Sequence, residues 1–148
     1  MTMTRQTGIE IHEEHLTLLE DLAQLDRGLD RLQCYSEVFA NLADAERVKA
    51  RGRRLTEQLP DHFRREEMTI LTAASRVSPE LAEFCSQMKA QHGDLLVRLT
   101  AFRAALDDFD RTDDLSEAIY QLKEQGKALT RDLRRHVAAE ELELSGFL

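Results

Sequence analysis

Two His-x-x-x-Glu segments, His62-Phe63-Arg64-Arg65-Glu66 and His136-Val137-Ala138-Ala139-Glu140, hold the residues of this chain best suited to chemistry. Imidazole nitrogens and carboxylate oxygens are both metal donors, and residues four apart on an α-helix share a face. Each pair is preceded by a solitary histidine: His15 lies 47 residues before His62, and His92 lies 44 before His136. Four of the five histidines fall in this doubled arrangement. Four imidazoles and two carboxylates form a mixed nitrogen and oxygen set. It suits iron, manganese or zinc and disfavours thiolate-bound copper(I) or iron–sulfur sites. Glu66 and Glu140 are expected to bridge two metals, with His15 and His62 on one and His92 and His136 on the other. Each metal then has about four protein ligands, leaving room for solvent, a small diatomic molecule or peroxide, as in a working rather than a closed metal site.

The elements that must position these residues are legible in the apolar spacing. Ile11, His15, Leu18, Leu22, Leu25, Leu29 and Leu32 step by four and three. So do Leu81, Cys85, Met88, His92, Leu95, Leu99, Phe102, Leu106 and Phe109. Val48, Gly52, Leu55, Leu59, His62, Glu66 and Ile70 form a second line, and Leu115 through Gly126, Leu133, His136 and Glu140 to Leu144 a fourth. This alternation is the seam of a helix packed in a bundle. It predicts helices near 9–38, 44–75, 79–110 and 113–144 in a single domain spanning 1–148. Ser78 and Pro79 open the third, Thr112-Asp113-Asp114 offers a cap for the fourth, Asn41 or Asp44 for the second, and Gly146 a stop. Pro60 should kink the second helix just before His62. Short connections imply antiparallel neighbours, hence an all-α, up-down-up-down four-helix bundle. The distances from His15 to His92 and from His62 to His136, 77 and 74 residues, read as one duplicated hairpin.

All six candidates occupy seam positions, where a buried unpaired imidazole or carboxylate costs several kcal/mol by order of magnitude. Coordination of a metal removes that cost. Counting along antiparallel helices at ~1.5 Å per residue puts the four histidines at one level, roughly 10–20 Å from the same end of the bundle. A single seam histidine is ordinarily a satisfied core residue; four at a common depth with two paired glutamates are not.

The remaining composition narrows the class. The chain has 148 residues, 42% apolar and 32% charged, with 6 Gly and 2 Pro, which fits a helix-rich globular protein. A net charge of −8 argues against a nucleic-acid partner. No window is apolar enough to span a membrane, and the polar segment 1–8 does not read as a signal peptide. Cys34 and Cys85 are too few for a disulfide framework, which points to a reducing, cytoplasmic setting. Cys85 reads as core packing. Tyr35 and Tyr120 fall about 24–30 Å along their helices from the ligand level, too far to serve it. His12 reads as a flanking residue, Glu13 and Glu14 as solvated, and Arg64, Arg65, Arg134 and Arg135 as a basic face with helical ion pairs.

The Glu-x-x-His order of ferritin-like di-iron bundles is absent. The pattern Glu14-His15-x-x-Leu18, His62-x-x-x-Glu66, His92 and His136-x-x-x-Glu140 instead resembles the hemerythrin-like, HHE cation-binding family, over residues 9–144. The resemblance implies a four-helix bundle around two iron ions with carboxylate and oxo or hydroxo bridges. It also implies reversible dioxygen binding, oxygen or iron sensing, a response to nitric oxide or peroxide, or iron–sulfur cluster repair. The family's oxygen carriers have a fifth histidine one turn from the solitary histidine of the third helix, where this chain has Met88 and Leu96. They also place an aspartate one residue beyond Glu140. These departures place the chain with a four-histidine, two-glutamate branch. The absence of a cysteine-bearing segment before the first helix speaks against cluster repair. The leading expectation is a di-iron protein that binds or senses dioxygen or a related small oxidant. The alternatives are an enzyme consuming peroxide or nitric oxide, and a structural bundle with a metal of another role.

Overall fold

The computed structural model describes the backbone of residues 4–32 and 38–148, and the side chains of 4–32 and 43–148. Cys34 and Tyr35 lie outside the described residues. Five α-helices, α1 (Arg5–Arg31), α2 (Val38–Met68), α3 (Ile70–Ser75), α4 (Pro79–Arg111) and α5 (Leu115–Glu143), precede a final 3-10 turn at Ser145–Phe147. Helix α1 packs against α2 and α5, and α4 packs against the same two, which closes an antiparallel four-helix bundle. The short α3 lies against α4. Among the described residues there is no strand, and no helix is long and apolar enough to cross a membrane.

Helix ends follow local chemistry. Thr4 caps α1 by accepting from the Thr7 amide, so the helix starts at Arg5, four residues before the predicted start. Leu32 takes up extended backbone, so α1 ends at Arg31 and not near 38. Helix α2 already begins at Val38. Asn41 and Asp44 therefore sit inside it, and Asp44 pairs with Arg47 at 3.2 Å instead of capping. Ser78 caps α4 with Pro79 at its first turn, as the sequence predicts, and Asp114 caps α5 by accepting from the Glu117 amide. Gly146 is not a left-handed stop, since no described glycine has positive φ; α5 ends at Glu143 before the 3-10 turn.

The predicted second helix is divided. It runs on through Pro60, whose ring nitrogen has no hydrogen to donate. Its interruption comes at Thr69, where the backbone leaves helical geometry (φ −121°, ψ −86°). The Thr69 hydroxyl donates to the Arg65 carbonyl, which also accepts from the Thr69 amide, and the Thr72 hydroxyl donates to the Glu67 carbonyl, so side chains add to the backbone bonds at the break.

The interior has two apolar blocks. The larger holds Leu22, Leu25, Leu29, Leu59, Leu99, Phe102, Leu122 and Leu133. Phe102 is seated against Gly52 and Gly126, where an added Cβ would meet its ring at 3.0 and 3.1 Å. The smaller is formed by Ile11, Ile70, Leu71, Ala74, Cys85, Met88 and Leu144. Cys85 is thus core packing, its thiol pushed up by burial. Along every main helix the candidate histidines and glutamates fall between these blocks, in a polar layer with an apolar layer above and below.

Candidate metal centre

Each main helix delivers its polar residues to this layer because the four-three seam continues through it without a slip. Helix α1 supplies His15, α2 His62 and Glu66, α4 His92, and α5 His136 and Glu140. His15, Glu66, His92, His136 and Glu140 are buried, and the His62 side chain is 10% exposed. All six predicted residues are brought together. They form two donor groups, His15 with His62 and Glu66, and Glu66 with His92, His136 and Glu140.

Glu66 is common to both. Its Oε2 stands 3.0 Å from His15 Nε2. Its Oε1 stands 3.2 Å from His62 Nε2 and 3.3 Å from His92 Nε2, without hydrogen-bond geometry. Glu140 Oε1 lies 2.5 Å from His136 Nε2 and belongs only to the second group. The two-fold relation expected from the sequence repeat is therefore broken at the carboxylates.

The outward nitrogens reveal residues that sequence reasoning missed. His15 Nδ1 donates to Glu141 at 2.8 Å, His92 Nδ1 to Glu67 at 2.7 Å, and His136 Nδ1 to Gln91 at 2.8 Å. His62 Nδ1 faces Glu14 at 3.4 Å. Each outer partner is the chain neighbour of an inner residue on an adjoining helix. Glu14 precedes His15 and serves α2; Glu67 follows Glu66 and serves α4; Gln91 precedes His92 and serves α5; Glu141 follows Glu140 and serves α1. The ring closes on itself and fixes the direction of the imidazoles. Glu14 is thus no solvated bystander, and it also pairs with Arg65. His12, the fifth histidine, donates to the same Glu141 at 2.9 Å, in keeping with a flanking place. Arg65 and Arg134 bridge helices, to Glu10 and Asp26, while Arg64 pairs within its helix to Asp61. The Phe63 ring stacks on His92 at 4.1 Å and 12°, holding that imidazole in plane. Tyr120 is half exposed, far along α5 from the layer.

The donor chemistry fits a cation. With the Nδ1 atoms of His92 and His136 directed outward to Glu67 and Gln91, their Nε2 atoms face each other across 3.0 Å inside the cluster. Glu66 Oε1 and both Glu140 oxygens are buried without a hydrogen bond. A polar atom so placed is costly unless something positive occupies the space between. Burial pushes the Glu140 carboxyl up to about 11, with neighbouring Glu66 adding to it. Glu66 itself is held well below the usual range: burial opposes its ionisation, but contacts with Glu140, His15, His62 and His92 outweigh burial. Burial, with His92 beside it, pushes His136 down to about 3, so its imidazole is neutral and free to ligate. Burial pulls His15 down too, but Glu66 and Glu141 more than offset it and the imidazole is raised.

The hemerythrin HHE cation-binding domain pattern matches residues 9–148. The chain belongs to the hemerythrin HHE cation-binding family. The match covers nearly every described residue, and the helical bundle and buried His/Glu cluster are those of a metal-binding member of that family. Comparison with curated proteins and with solved structures yields no match.

Proposed function

We propose that this hemerythrin-family chain is a non-haem di-iron protein that binds or senses dioxygen or a related small oxidant. The observation that carries this reading is Glu66, fully buried, whose oxygens reach both donor groups: Oε2 lies beside His15, and Oε1 lies between His62 of the first group and His92 of the second. A carboxylate shared in that way suits two metals rather than one. His15 and His62 would hold one iron with Glu66, and His92, His136 and Glu140 the other. When bound, an iron pair supplies redox-active Lewis-acid centres that take a small ligand. The residues around it supply the rest. Glu141, Glu67 and Gln91 hold their imidazoles with Nε2 turned inward, and the apolar blocks exclude bulk water on both sides.

The test is elemental analysis of aerobically purified protein together with its absorption spectrum. About two irons per chain and a near-ultraviolet oxo-to-iron band are expected. Less than about one iron per chain, with no such band, would overturn the reading. A second reading, turnover of peroxide or nitric oxide, draws on the cleft beside His62, which offers access from solvent. Stopped-flow mixing of the reduced protein with either oxidant separates the two. Consumption of more than one equivalent per centre marks an enzyme; one equivalent or less marks binding or sensing.

A further inference from the structure

We propose that the acidic cleft between α1 and α2 is the path by which a hydrated divalent cation reaches the centre, passing by way of His62. The proposal rests on the reading of the buried cluster as a metal site. The cleft has a volume of about 690 Å³. Six waters occupy about 180 Å³ at about 30 Å³ each, so an ion with its hydration shell fits. Glu10, Glu13, Glu14, Asp21, Glu57 and Asp61 line it against the single guanidinium of Arg65. A cleft of one sign focuses field lines and raises the local concentration of the opposite ion.

Carboxylates alone would not make a route; the floor of the cleft does. His62 lines it, with a side chain nine-tenths buried. Behind His62, 3.2 Å from its Nε2, is Glu66 Oε1, fully buried and without a hydrogen bond. An ion leaving the cleft therefore meets an imidazole and then an unpartnered carboxylate oxygen. The cleft on the opposite flank, beside His136, is smaller, about 250 Å³, and its Asp94 and Asp132 are balanced by Arg98 and Arg135. It offers no comparable pull on a cation. Arg65, bound to Glu10 and Glu14, tempers the field of the first cleft.

Metal-free, full-length protein mixed with Co²⁺ alone tests this, with the free ion followed by a chromogenic indicator and the end-point by elemental analysis. Glu13, Glu57 and Asp61 are exposed, and their side chains form no hydrogen bond or ion pair with the six central residues; Asp61, next in the chain to His62, pairs with Arg64. The combined Glu13→Gln, Glu57→Gln and Asp61→Asn variant should load about tenfold more slowly at low salt. The gap should close near 1 M salt, where screening acts within about 3 Å. The end-point should be unchanged, Asp94→Asn should load at the unmodified rate, and Arg65→Gln should load faster. Unmodified rates in the triple variant at low salt, equal slowing by Asp94→Asn, or no gain in Arg65→Gln would overturn the path. If the unmodified chain bound no Co²⁺ at all, the metal reading itself would fall, and the path with it.

Discussion

On one side of Glu66 stand two histidines, His15 and His62; on the other stand His92, His136 and a second carboxylate, Glu140. The first group sits beside the larger, acidic cleft and includes His62, the most exposed histidine of the six residues. The second is more crowded: Phe63 stacks on His92, and Glu140 is wholly buried. Their supports differ as well. His15 and His92 lean on carboxylates, whereas His136 leans on the neutral amide of Gln91. Two helix pairs with matching motifs thus produce one enclosed half and one half beside a solvent cleft. Under the proposed function, a small ligand is expected on the side of His15 and His62.

Carboxylate replacement would break the comparison most sharply. Glu66→Gln removes the residue common to both groups and should leave less than about a tenth of the metal by elemental analysis. Glu140→Gln should lose about one metal of two, since Glu140 serves one group only. Equal losses from the two variants would show that the halves are equivalent after all. Next in size are the outer supports. Gln91→Ala should weaken the second metal by about 10–100-fold and Glu141→Ala the first by a similar factor, read by competition with a chelator. Weakening of both metals by either change would erase the distinction.

Acidity separates the halves more gently. Glu140 is raised to about 11 in the metal-free protein, so at neutral pH it carries a proton that metal binding must displace. Affinity at the second group should rise about tenfold per pH unit, and proton release should register in calorimetry across buffers of different ionisation enthalpy. The stability of the metal-free chain runs the other way. A folded-state pKa above the unfolded value of 4.5 gives stability that is complete below that value and lost as pH rises toward about 11. His136, lowered to about 3 from 6.5, weakens the metal-free fold only below pH 6.5. Between about pH 7 and 9 the Tm of the metal-free protein should therefore fall, while that of the loaded protein should not. The smallest effect belongs to the surface. Asp26→Asn breaks the pairs with Lys127 and Arg134, should cost under about 1 kcal/mol in chemical denaturation, and should leave metal content unchanged.

The bundle and the six central residues were legible because seam periodicity is set by burial, and burial is what the inner face of every helix has in common. The outer ring was not. Glu14, Glu67, Gln91 and Glu141 sit one position off the seam, where a polar residue ordinarily meets water. Only their adjacency to His15, Glu66, His92 and Glu140 marks them. The start of α2 was misplaced because Asn41 and Asp44 are cap-forming types, yet cap-forming types are also tolerated inside helices, where Asp44 pairs with Arg47. The break at Thr69 carries no glycine or proline to announce it. Side-chain hydroxyls of Thr69 and Thr72 bond to the Arg65 and Glu67 carbonyls there, a local feature that spacing does not encode. The inequality of Glu66 and Glu140 was hidden for a related reason. Both close identical His-x-x-x-Glu motifs, and their difference arises from where each carboxylate turns in the folded layer.

If the proposed di-iron reading holds, Glu66 stands between two metals of unequal surroundings. Crystals of the iron-loaded protein, measured for anomalous scattering on both sides of the iron edge, test it most directly. Two peaks are expected, one among His15, His62 and Glu66 and one among Glu66, His92, His136 and Glu140. A single peak, or peaks away from Glu66, would contradict it.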